Sequence, residues 1–572
     1  MKGEKIMKKA YKFILVSVAA LTMVSCAESF LHRDPYGNTI TQEQYEKLAN
    51  KLEGSMRGVY SMMYSVSDHD AFGKRSIDMY GDLMCGDMAL TNYTYGWFYN
   101  DEQGQGRTGR TGYIWSYYYG MLHNVNAVIY AAQGGDAASA DNPIKRIAAN
   151  GLPTTYSTKN NTVTYYTIVS GDTVATFTEE EAVLANCYAQ ALAMRGYIYS
   201  NLLMLYCEES HDIADFKTEL CFPFYTENNM DQAQPLANMA QVYTSVENDL
   251  TVAIDYFKAF ETIVRDETRK LEINAPVACG ILAYAYLNKA KGNAGQDVNT
   301  IPNTNALKYA KEAISLAEKS GSQILPNKDL YSTGFNDVSN PSWIWGQKVT
   351  VETAGGLASW FGQCDIHSYS YAWAGDTKAI DENLYKLIPK FDGRQKWFND
   401  GSKNTTYKYC PDGKFFSAKS PTSTKSDDID REWLSDNVFM RIESMYLIAA
   451  EASYRLGNDA DAITYLTAIT DQRVMEGMDA EYNTWKSGLS HSNLLAELEY
   501  NWRVEMWGEG YGLQTFRRLG RETITKTNER RRGANHSANG GSTMEPGPEY
   551  TFQMPSSESS YNPKITNTTL PE

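Results

Sequence analysis

Residues 446–466 read YLIAAEASYRLGNDADAITYL, and this stretch decides the fold. Alanines recur along both halves, where two helices must approach closely, and Gly457 is placed to end the first helix in the left-handed conformation. The spacing matches the tetratricopeptide pattern, whose repeat is about 34 residues. It predicts a helix–turn–helix pair; the alternative on periodicity alone is an unrelated bundle of amphipathic helices.

The same pattern recurs elsewhere in the chain. Residues 179–207 pair with 236–260, and residues 272–291 pair with 305–319. Other segments with helical periodicity are 41–66, 115–132, 437–457, 459–475 and 491–508. Trp115, Trp502 and Trp507 lie on the apolar stripes of such segments, so we expect them in the core.

Two regions break the helical pattern. Thr162–Val169 and Thr173–Thr178 are β-prone runs around the turn-forming Ser170-Gly171-Asp172, which predicts a small β-hairpin insertion. Residues 321–436 carry few helical signals and many Gly, Pro, Ser and aromatic residues, and a segment that long is usually functional. The sequence therefore predicts a mostly α fold, with a helical scaffold over about 41–320 and 437–520. A loop-rich subdomain spans about 321–436 together with loop 85–112.

The N-terminal segment predicts export and a lipid anchor. Residues 7–26 read MKKAYKFILVSVAALTMVSC, in which Lys8, Lys9 and Lys12 precede an apolar run over 13–25 that is too short to span a bilayer. The run ends on Cys26, as in a bacterial lipobox. We therefore predict a signal peptide over residues 1–25, lipidation of Cys26 and a single body over 26–572. Two or more acyl chains anchor a protein firmly, whereas one holds it only marginally.

Composition excludes some classes of protein. A net charge of −16 and a pI near 5.1 argue against nucleic-acid partners, whose phosphates would be repelled. Seven cysteines follow Cys26, an odd number at wide spacing, which indicates mostly free, buried thiols.

Enzymatic chemistry finds little support in the motifs. Gly104–Gly109 matches G-x-G-x-x-G but has no strand before it and no apolar helix after it, so it is a glycine-rich loop and not a dinucleotide site. The seven histidines never form H-E-x-x-H and no C-x-x-C occurs, so we predict neither an enzyme nor a cofactor nor a metal centre. Calcium remains open because the loops are acidic, although no D-x-D-x-D-G loop is present.

Two aromatic loops predict a binding surface. Tyr95 and Trp97 lie in one polar, glycine-rich stretch, and Trp360, Tyr371 and Trp373 lie in another. Neither stretch has a period that would bury it cleanly, so we expect an exposed platform, with Trp97 as its strongest member. The alternative is that these rings fill the core of an irregular domain.

The order of motifs along the chain resembles the SusD/RagB family of nutrient-binding outer-membrane lipoproteins. The residues that carry the resemblance are Cys26 with Phe30-Leu31; Gly81-Asp82 with Gly86-Asp87; Trp115, Tyr118-Tyr119 and Asn124-Val125-Asn126; Ala191 to Tyr197 with Pro223; Asn383-Leu384-Tyr385 with Asp392-Gly393-Arg394; Arg441-Ile442-Glu443 with Ala450-Glu451-Ala452; Glu499 to Leu519; and Phe552 to Pro555 with Asn562-Pro563. Asn501, Trp502, Gly512 and Thr515 depart from the family pattern.

The resemblance implies a function and a location. It implies a cell-surface lipoprotein of the outer membrane that captures an oligosaccharide and delivers it to a partner SusC-like TonB-dependent transporter. Two alternatives stay open at this point, a peptide-binding member of the same family and a tetratricopeptide scaffold without a small ligand. A hydrolase would require two carboxylates at defined separation, for which the sequence gives no specific reason.

Overall fold

The structure is a computed structural model. It describes residues 42–104, 109–135, 140–207, 220–263, 269–289, 300–402, 404–415 and 433–565, apart from the side chains of 42–46 and 331–333. The predicted signal peptide (1–25), Cys26, Thr41 and residues 105–108 of the glycine-rich loop lie outside these ranges.

Helices make up most of the described chain. In chain order they are α1 Gln42–Met62, α2 Lys74–Met84, α3 Tyr99–Glu102, α4 Thr111–Ala132, α5 Pro143–Asn150, α6 Glu179–Tyr206, α7 Met239–Ala259, α8 Ala275–Lys289, α9 Thr300–Lys319, α10 Asn327–Thr333, α11 Trp360–Cys364, α12 Tyr371–Ala374, α13 Glu382–Leu387, α14 Ile442–Arg455, α15 Asp459–Thr470, α16 Asp479–Ser487, α17 His491–Glu505, α18 Gly512–Thr523 and α19 Ser556–Tyr561. None of the helices in the described ranges has the length and apolar character that a membrane span requires.

The strands are short and form five small antiparallel sheets within the described residues. They are β1 Met88–Leu90, β2 Thr155–Lys159, β3 Thr162–Val169, β4 Asp172–Phe177, β5 Leu220–Pro223, β6 Leu236–Asn238, β7 Trp343–Gln347, β8 Lys378–Ile380, β9 Asn437–Arg441, β10 Arg530–Arg531 and β11 Thr543–Met544. The pairings are β1 with β8, β2–β3–β4, β5 with β6, β7 with β9, and β10 with β11.

The predicted helix pairs are confirmed. α6 packs on α7, α8 on α9, and α14 on both α9 and α15, so consecutive pairs stack into one scaffold. Gly196 lets α6 and α7 approach, because a Cβ there would lie 2.7 Å from a carbon of Leu250. Gly457, with φ of +76°, ends the first helix of the α14–α15 pair, and the Asn458 side chain accepts a hydrogen bond from the backbone N–H of Asp461 to begin the second.

The inserted hairpin is confirmed and extended by one strand. Ser170 and Gly171 both have positive φ, as a two-residue hairpin turn requires, and Val169 pairs with Asp172. β2 adds a third strand on the other side of β3. Tyr165 and Thr167 are the buried residues of β3, and Tyr165 packs edge-on against Phe260.

The helix predicted over 437–457 is wrong in its first turn. Residues 437–441 form β9, which pairs with β7, and the helix begins only at Ile442. The run Val438-Phe439-Met440 is buried, and it satisfies its backbone hydrogen bonds across the sheet and not along a helix. A strand of five residues that is buried in this way cannot be told from a helix by periodicity.

Burial follows the sequence for the helical tryptophans and for the thiols. Trp115, Trp502 and Trp507 are buried, as predicted. Seven described cysteines are free and buried: Cys85, Cys187, Cys207, Cys221, Cys279, Cys364 and Cys410. Residues 321–436, where described, carry only short helices and strands.

A buried cluster of charges joins this loop-rich stretch to the helices. Four cations and four carboxylates take part, and every one of them is buried: Arg394, Lys414, Arg441 and Arg473 with Asp392, Glu443, Glu505 and Glu509. Glu505, at the end of α17, lies at the centre. Its carboxylate lies 2.8 Å from the Arg473 guanidinium, 3.1 Å from that of Arg441 and 3.3 Å from that of Arg394.

The cluster also sets the charge state of its members. Burial alone would raise the pKa of Glu505, but Arg473 and Arg441 hold that pKa well below its usual range. Burial lowers the pKa of Lys414 to about 8, against the opposing effect of Glu509 at 2.8 Å. Its ammonium lies 4.8 Å from the ring centre of Phe335 and 4.9 Å from that of Trp397.

We predict that Glu505→Gln lowers the free energy of unfolding by about 3–5 kcal/mol, because it leaves buried guanidinium groups without their counter-charge. The control is Glu261→Gln, since the Glu261–Lys319 pair is 3.4 Å long and exposed; its cost should stay within about 1 kcal/mol. Chemical denaturation measures both variants.

The pH dependence of this effect has a defined sign. Since the folded pKa of Glu505 lies below the unfolded value of about 4.3, its contribution is complete above that pH and is lost as the pH falls. The difference in the free energy of unfolding between wild type and Glu505→Gln should therefore become smaller below about pH 4. Equal costs for Glu505→Gln and Glu261→Gln would contradict the role of the cluster.

Candidate ligand-binding surface

The short sheet β1–β8 brings the two aromatic loops together. Met88 pairs with Ile380, Ala89 with Ala379 and Leu90 with Lys378. Beyond the strands, Thr91 donates its N–H to the carbonyl of Thr377 at 2.8 Å, and Thr94 donates to Gly375 at 3.0 Å. Loop 91–98 and loop 369–377 therefore lie side by side, although some 280 residues separate them in sequence.

Asp376 fixes the turn that carries Tyr95 and Trp97. Its buried carboxylate accepts backbone N–H bonds from Tyr95 at 2.7 Å, Gly96 at 3.4 Å and Trp97 at 3.3 Å. Three converging N–H groups thus share the hydrogen bonding of this buried carboxylate. Gly96 has a φ of +74°, which lets the backbone turn around the carboxylate.

Aromatic rings from three segments meet above this turn. The Tyr371 ring centre lies 5.2 Å from that of Tyr95 and 6.0 Å from that of Trp97. His69 stacks on Trp97 at 5.0 Å in a tilted arrangement, and its Nδ1 lies 3.1 Å from the Tyr371 hydroxyl. Rings in these edge-on and tilted arrangements support one another.

The five predicted residues differ in exposure. Tyr95 is 56% exposed and Trp373 is 45% exposed, so both offer ring faces to a ligand. Trp97 is partly buried against the core. Tyr371 is only 8% exposed and contacts the rings of both Tyr95 and Trp97. The prediction that Tyr371 is itself exposed is wrong.

The assignment of Trp360 to the platform is wrong. Its ring is 1% exposed, packs edge-on against Phe415 at 5.2 Å, and has the Arg75 guanidinium 4.1 Å from its ring centre. Trp360 begins α11, a one-turn helix buried on every side, and Ser359 caps this helix with a hydrogen bond from Gly362 N–H. So short a helix has no period from which its burial could be predicted.

An open cleft of about 630 Å³ lies beside Trp373. Its lining combines Trp373 and Tyr407 with hydroxyl and amide side chains, among them Thr91, Asn92, Thr406 and Asn535. Tyr369 packs on Trp373 at 4.9 Å, and Tyr93 stacks on Tyr99 at 4.3 Å. Within the described residues, no group of three or more His, Cys, Asp or Glu side chains is arranged to hold a metal ion.

Two parts of this surface had no sequence signal. His69 is a lone histidine between Asp68 and Asp70, and Tyr407 lies in a polar loop far from either aromatic stretch. Only the fold brings them to Tyr371 and Trp373. Asn92 and Thr94 flank Tyr93 in sequence and could have been chosen as polar partners of the rings.

Arg110 ties the Trp97 loop to α4. The guanidinium donates to the carbonyl of Trp97 at 2.7 Å and to the carboxylates of Asp101 at 2.7 Å and Asp70 at 2.5 Å. Burial alone would lower the pKa of Arg110, but Asp101 keeps the pKa above its usual value. Arg110 is therefore a fixed cation that holds the loop against the start of α4.

His536 connects the ends of the two strands that carry the aromatic loops. The buried imidazole lies with Nε2 3.1 Å from the Asp381 carboxylate and Nδ1 2.9 Å from that of Glu102. Asp381 follows β8 and caps α13 through the Leu384 N–H, whereas Glu102 accepts the N–H of Leu90 in β1. Burial alone would lower the pKa of His536, but Asp381 and Glu102 raise it above its usual value.

The comparisons with known proteins agree with this architecture. The family model of the SusD family matches residues 280–570, more than half of the 572 residues. The chain belongs to the SusD family. None of the curated proteins matches it.

Solved structures share the fold over almost the whole chain. A SusD-like carbohydrate-binding protein from Bacteroides vulgatus is 21% identical, with a TM-score of 0.63 over 92% of this chain and 98% of its own. A SusD superfamily protein from Bacteroides thetaiotaomicron is 17% identical, with a TM-score of 0.64 over 91% and 99%. A laminarin-binding SusD-like protein is 15% identical, with a TM-score of 0.57 over 90% and 98%. At these identities the likeness establishes the fold.

We predict that His536→Gln lowers the free energy of unfolding by about 1.5–3 kcal/mol near pH 6, because a buried charged bridge between two carboxylates is lost. The folded pKa lies above the unfolded value of about 6.5, so the contribution is complete below that pH and is lost as the pH rises through the folded pKa. The difference in the free energy of unfolding between His536→Gln and wild type should therefore become smaller toward alkaline pH. Chemical denaturation at a series of pH values measures it.

His491→Gln is the control for this measurement, because His491 forms an exposed pair with Asp459 at 3.0 Å. Its cost should stay below about 1 kcal/mol. A His536→Gln gap that grows with rising pH would show that the imidazole is buried in its neutral form.

Proposed function

We propose that the protein captures an oligosaccharide on the aromatic surface formed by Tyr95, Trp97, Tyr371 and Trp373. Two observations carry the proposal together: Tyr95 and Trp373 are exposed rings on adjacent loops, and Trp373 lines a cleft that also carries hydroxyl and amide groups. Ring faces suit the C–H surfaces of sugars, and each flanking hydrogen bond adds a net of about 1 kcal/mol. The carbohydrate-binding and laminarin-binding relatives support the same choice of ligand.

Contacts within the protein preorganise this surface for a ligand. Asp376 fixes the Tyr95–Trp97 turn, and Arg110 donates a hydrogen bond to the Trp97 carbonyl. His536 connects the ends of the two strands that carry the loops. A surface that is already ordered loses little conformational entropy when a ligand binds. We propose a binding role without turnover for this surface.

We further propose that the protein is anchored by lipid at Cys26 in the outer membrane, faces the cell exterior, and passes its ligand to a SusC-like TonB-dependent transporter. The N-terminal sequence and the membership of the SusD family support this placement. A binding protein beside a transporter raises the effective concentration of ligand there, so modest affinity is enough.

Removing the ring of Trp373 tests the binding surface. We predict that Trp373→Ala weakens oligosaccharide binding about threefold to tenfold, since a stacked ring contributes about 0.5–1.5 kcal/mol beyond its buried area. The melting temperature should hardly change because the ring is exposed. Isothermal calorimetry against a panel of α-glucans, β-glucans including laminarin, xylans and mannans gives the affinity, and chromatography of the same mixtures gives any product.

Tyr156→Ala is the matched control, because Tyr156 is 47% exposed on the inserted sheet. It should leave binding unchanged. Equal losses for both variants, or binding to a peptide panel and not to the glycans, would overturn the proposal. Released product would show an enzyme.

Replacing Cys26 tests the anchor. We predict that Cys26→Ala moves the protein from the membrane fraction to the soluble fraction. Alanine lacks the thiol on which the lipid would be attached, so the anchor is lost. Surface protease digestion of intact cells that express the wild type then tests the exterior orientation. A Cys26→Ala variant that remains in the membrane fraction would place the anchor elsewhere.

A further inference from the structure

A second open cleft, also of about 630 Å³, lies along α4. Ser116, Tyr119 and His123 lie on one face of the helix, and the loop over 225–233 faces them. We call this site the α4 cleft. Neither Trp97 nor Trp373 lines it, so it is distinct from the aromatic surface described above.

The α4 cleft has an ordered aromatic wall. The Trp115 and Tyr119 rings lie 4.6 Å apart, and the Tyr225 ring stands at 90° to Tyr119 at 5.9 Å. The Tyr119 hydroxyl donates to the carbonyl of Pro223 at 2.7 Å. Tyr225 is held through its backbone, whose N–H donates to the Tyr199 hydroxyl at 2.8 Å and whose carbonyl accepts from that hydroxyl at 2.6 Å.

The charges around the cleft select the kind of ligand. Ser116, His123, Asp231 and Gln232 are exposed at its rim and offer donors and acceptors to hydroxyl groups. Glu558 adds a second carboxylate, and no lysine or arginine is among the described residues that line the cleft. Phosphate, sulfate and uronic acid groups would therefore be repelled, whereas a neutral sugar would meet both rings and hydrogen-bonding groups.

Helix α4 links the cleft to the aromatic surface. Arg110, directly before α4, is bonded to the Trp97 carbonyl. At about 1.5 Å per residue, Ser116 and His123 lie about 9 Å and 20 Å farther along the helix axis. The cleft and the aromatic surface are therefore connected through one helix.

We propose that the α4 cleft is a second subsite for the same neutral glycan, occupied by a distant part of a chain that is already held at Trp373. The proposal rests on the function proposed above. Binding at the second site is then intramolecular, so it raises the affinity for long chains and leaves that for short oligosaccharides unchanged.

Filling the cleft tests this proposal. Ser116→Trp places a bulky ring in the cleft from an exposed position, and Asn124→Trp is the control, because Asn124 is exposed on the same helix but does not line the cleft. Each variant and the wild type are titrated with the polysaccharide that binds best in the glycan panel and with its trisaccharide. Gln232→Trp, from the facing loop, serves as a second blocking variant if Ser116→Trp does not fold.

We expect the blocking variants to weaken polysaccharide binding at least fivefold and trisaccharide binding less than twofold, while Asn124→Trp changes neither. Unchanged polysaccharide affinity in the blocking variants would overturn the second subsite and leave the proposed function intact. Equal losses for polymer and trisaccharide would also overturn it, because the cleft would then belong to the first site. A wild type that binds no glycan of the panel would overturn both proposals.

Discussion

The buried charge cluster around Glu505 is the constraint on which the rest of the structure depends. It draws its members from the loop-rich stretch, from β9 and from the helices, and each depends on the others to offset its desolvation. Several residues that carry the resemblance to the SusD/RagB family meet here, although they are spread over more than a hundred positions of the sequence: Asp392, Arg394, Arg441, Glu443, Glu505 and Glu509. Three of the family motifs therefore meet at one electrostatic junction between scaffold and loops.

Helix α17, which ends at Glu505, also supports the candidate ligand-binding surface. Next to Glu505, Arg503 of α17 donates to the Asp87 carboxylate at 2.8 Å, directly before β1. The Asp87 carbonyl in turn accepts the N–H of Asp381 after β8 at 3.0 Å. The residues that flank β1 and β8 are thus fixed to α17. Asp376 and His536 then order the two aromatic loops that these strands carry. Rigid support of this kind suits a surface that binds a ligand without reshaping it.

Periodicity was enough to predict the helical scaffold and the inserted hairpin, because each amphipathic segment there has a single buried face. It failed at residues 437–441, where a strand is buried, and at Trp360, whose one-turn helix is buried on every side. It also gave no sign of the β1–β8 pairing, since three-residue strands carry too little pattern and their partner lies far along the chain. The residues of the aromatic surface were therefore predicted by type, whereas their exposure and their neighbours, such as His69, depend on tertiary contacts.

The central claim is that two loops distant in sequence form one glycan-binding surface. Hydrogen–deuterium exchange of the protein with and without a bound oligosaccharide tests it most directly, because the amides of 91–98 and 369–377 report on the two loops separately. The account predicts that both segments gain protection together and at the same ligand concentration. Protection of only one loop, or measured binding that leaves both loops unchanged, would contradict it.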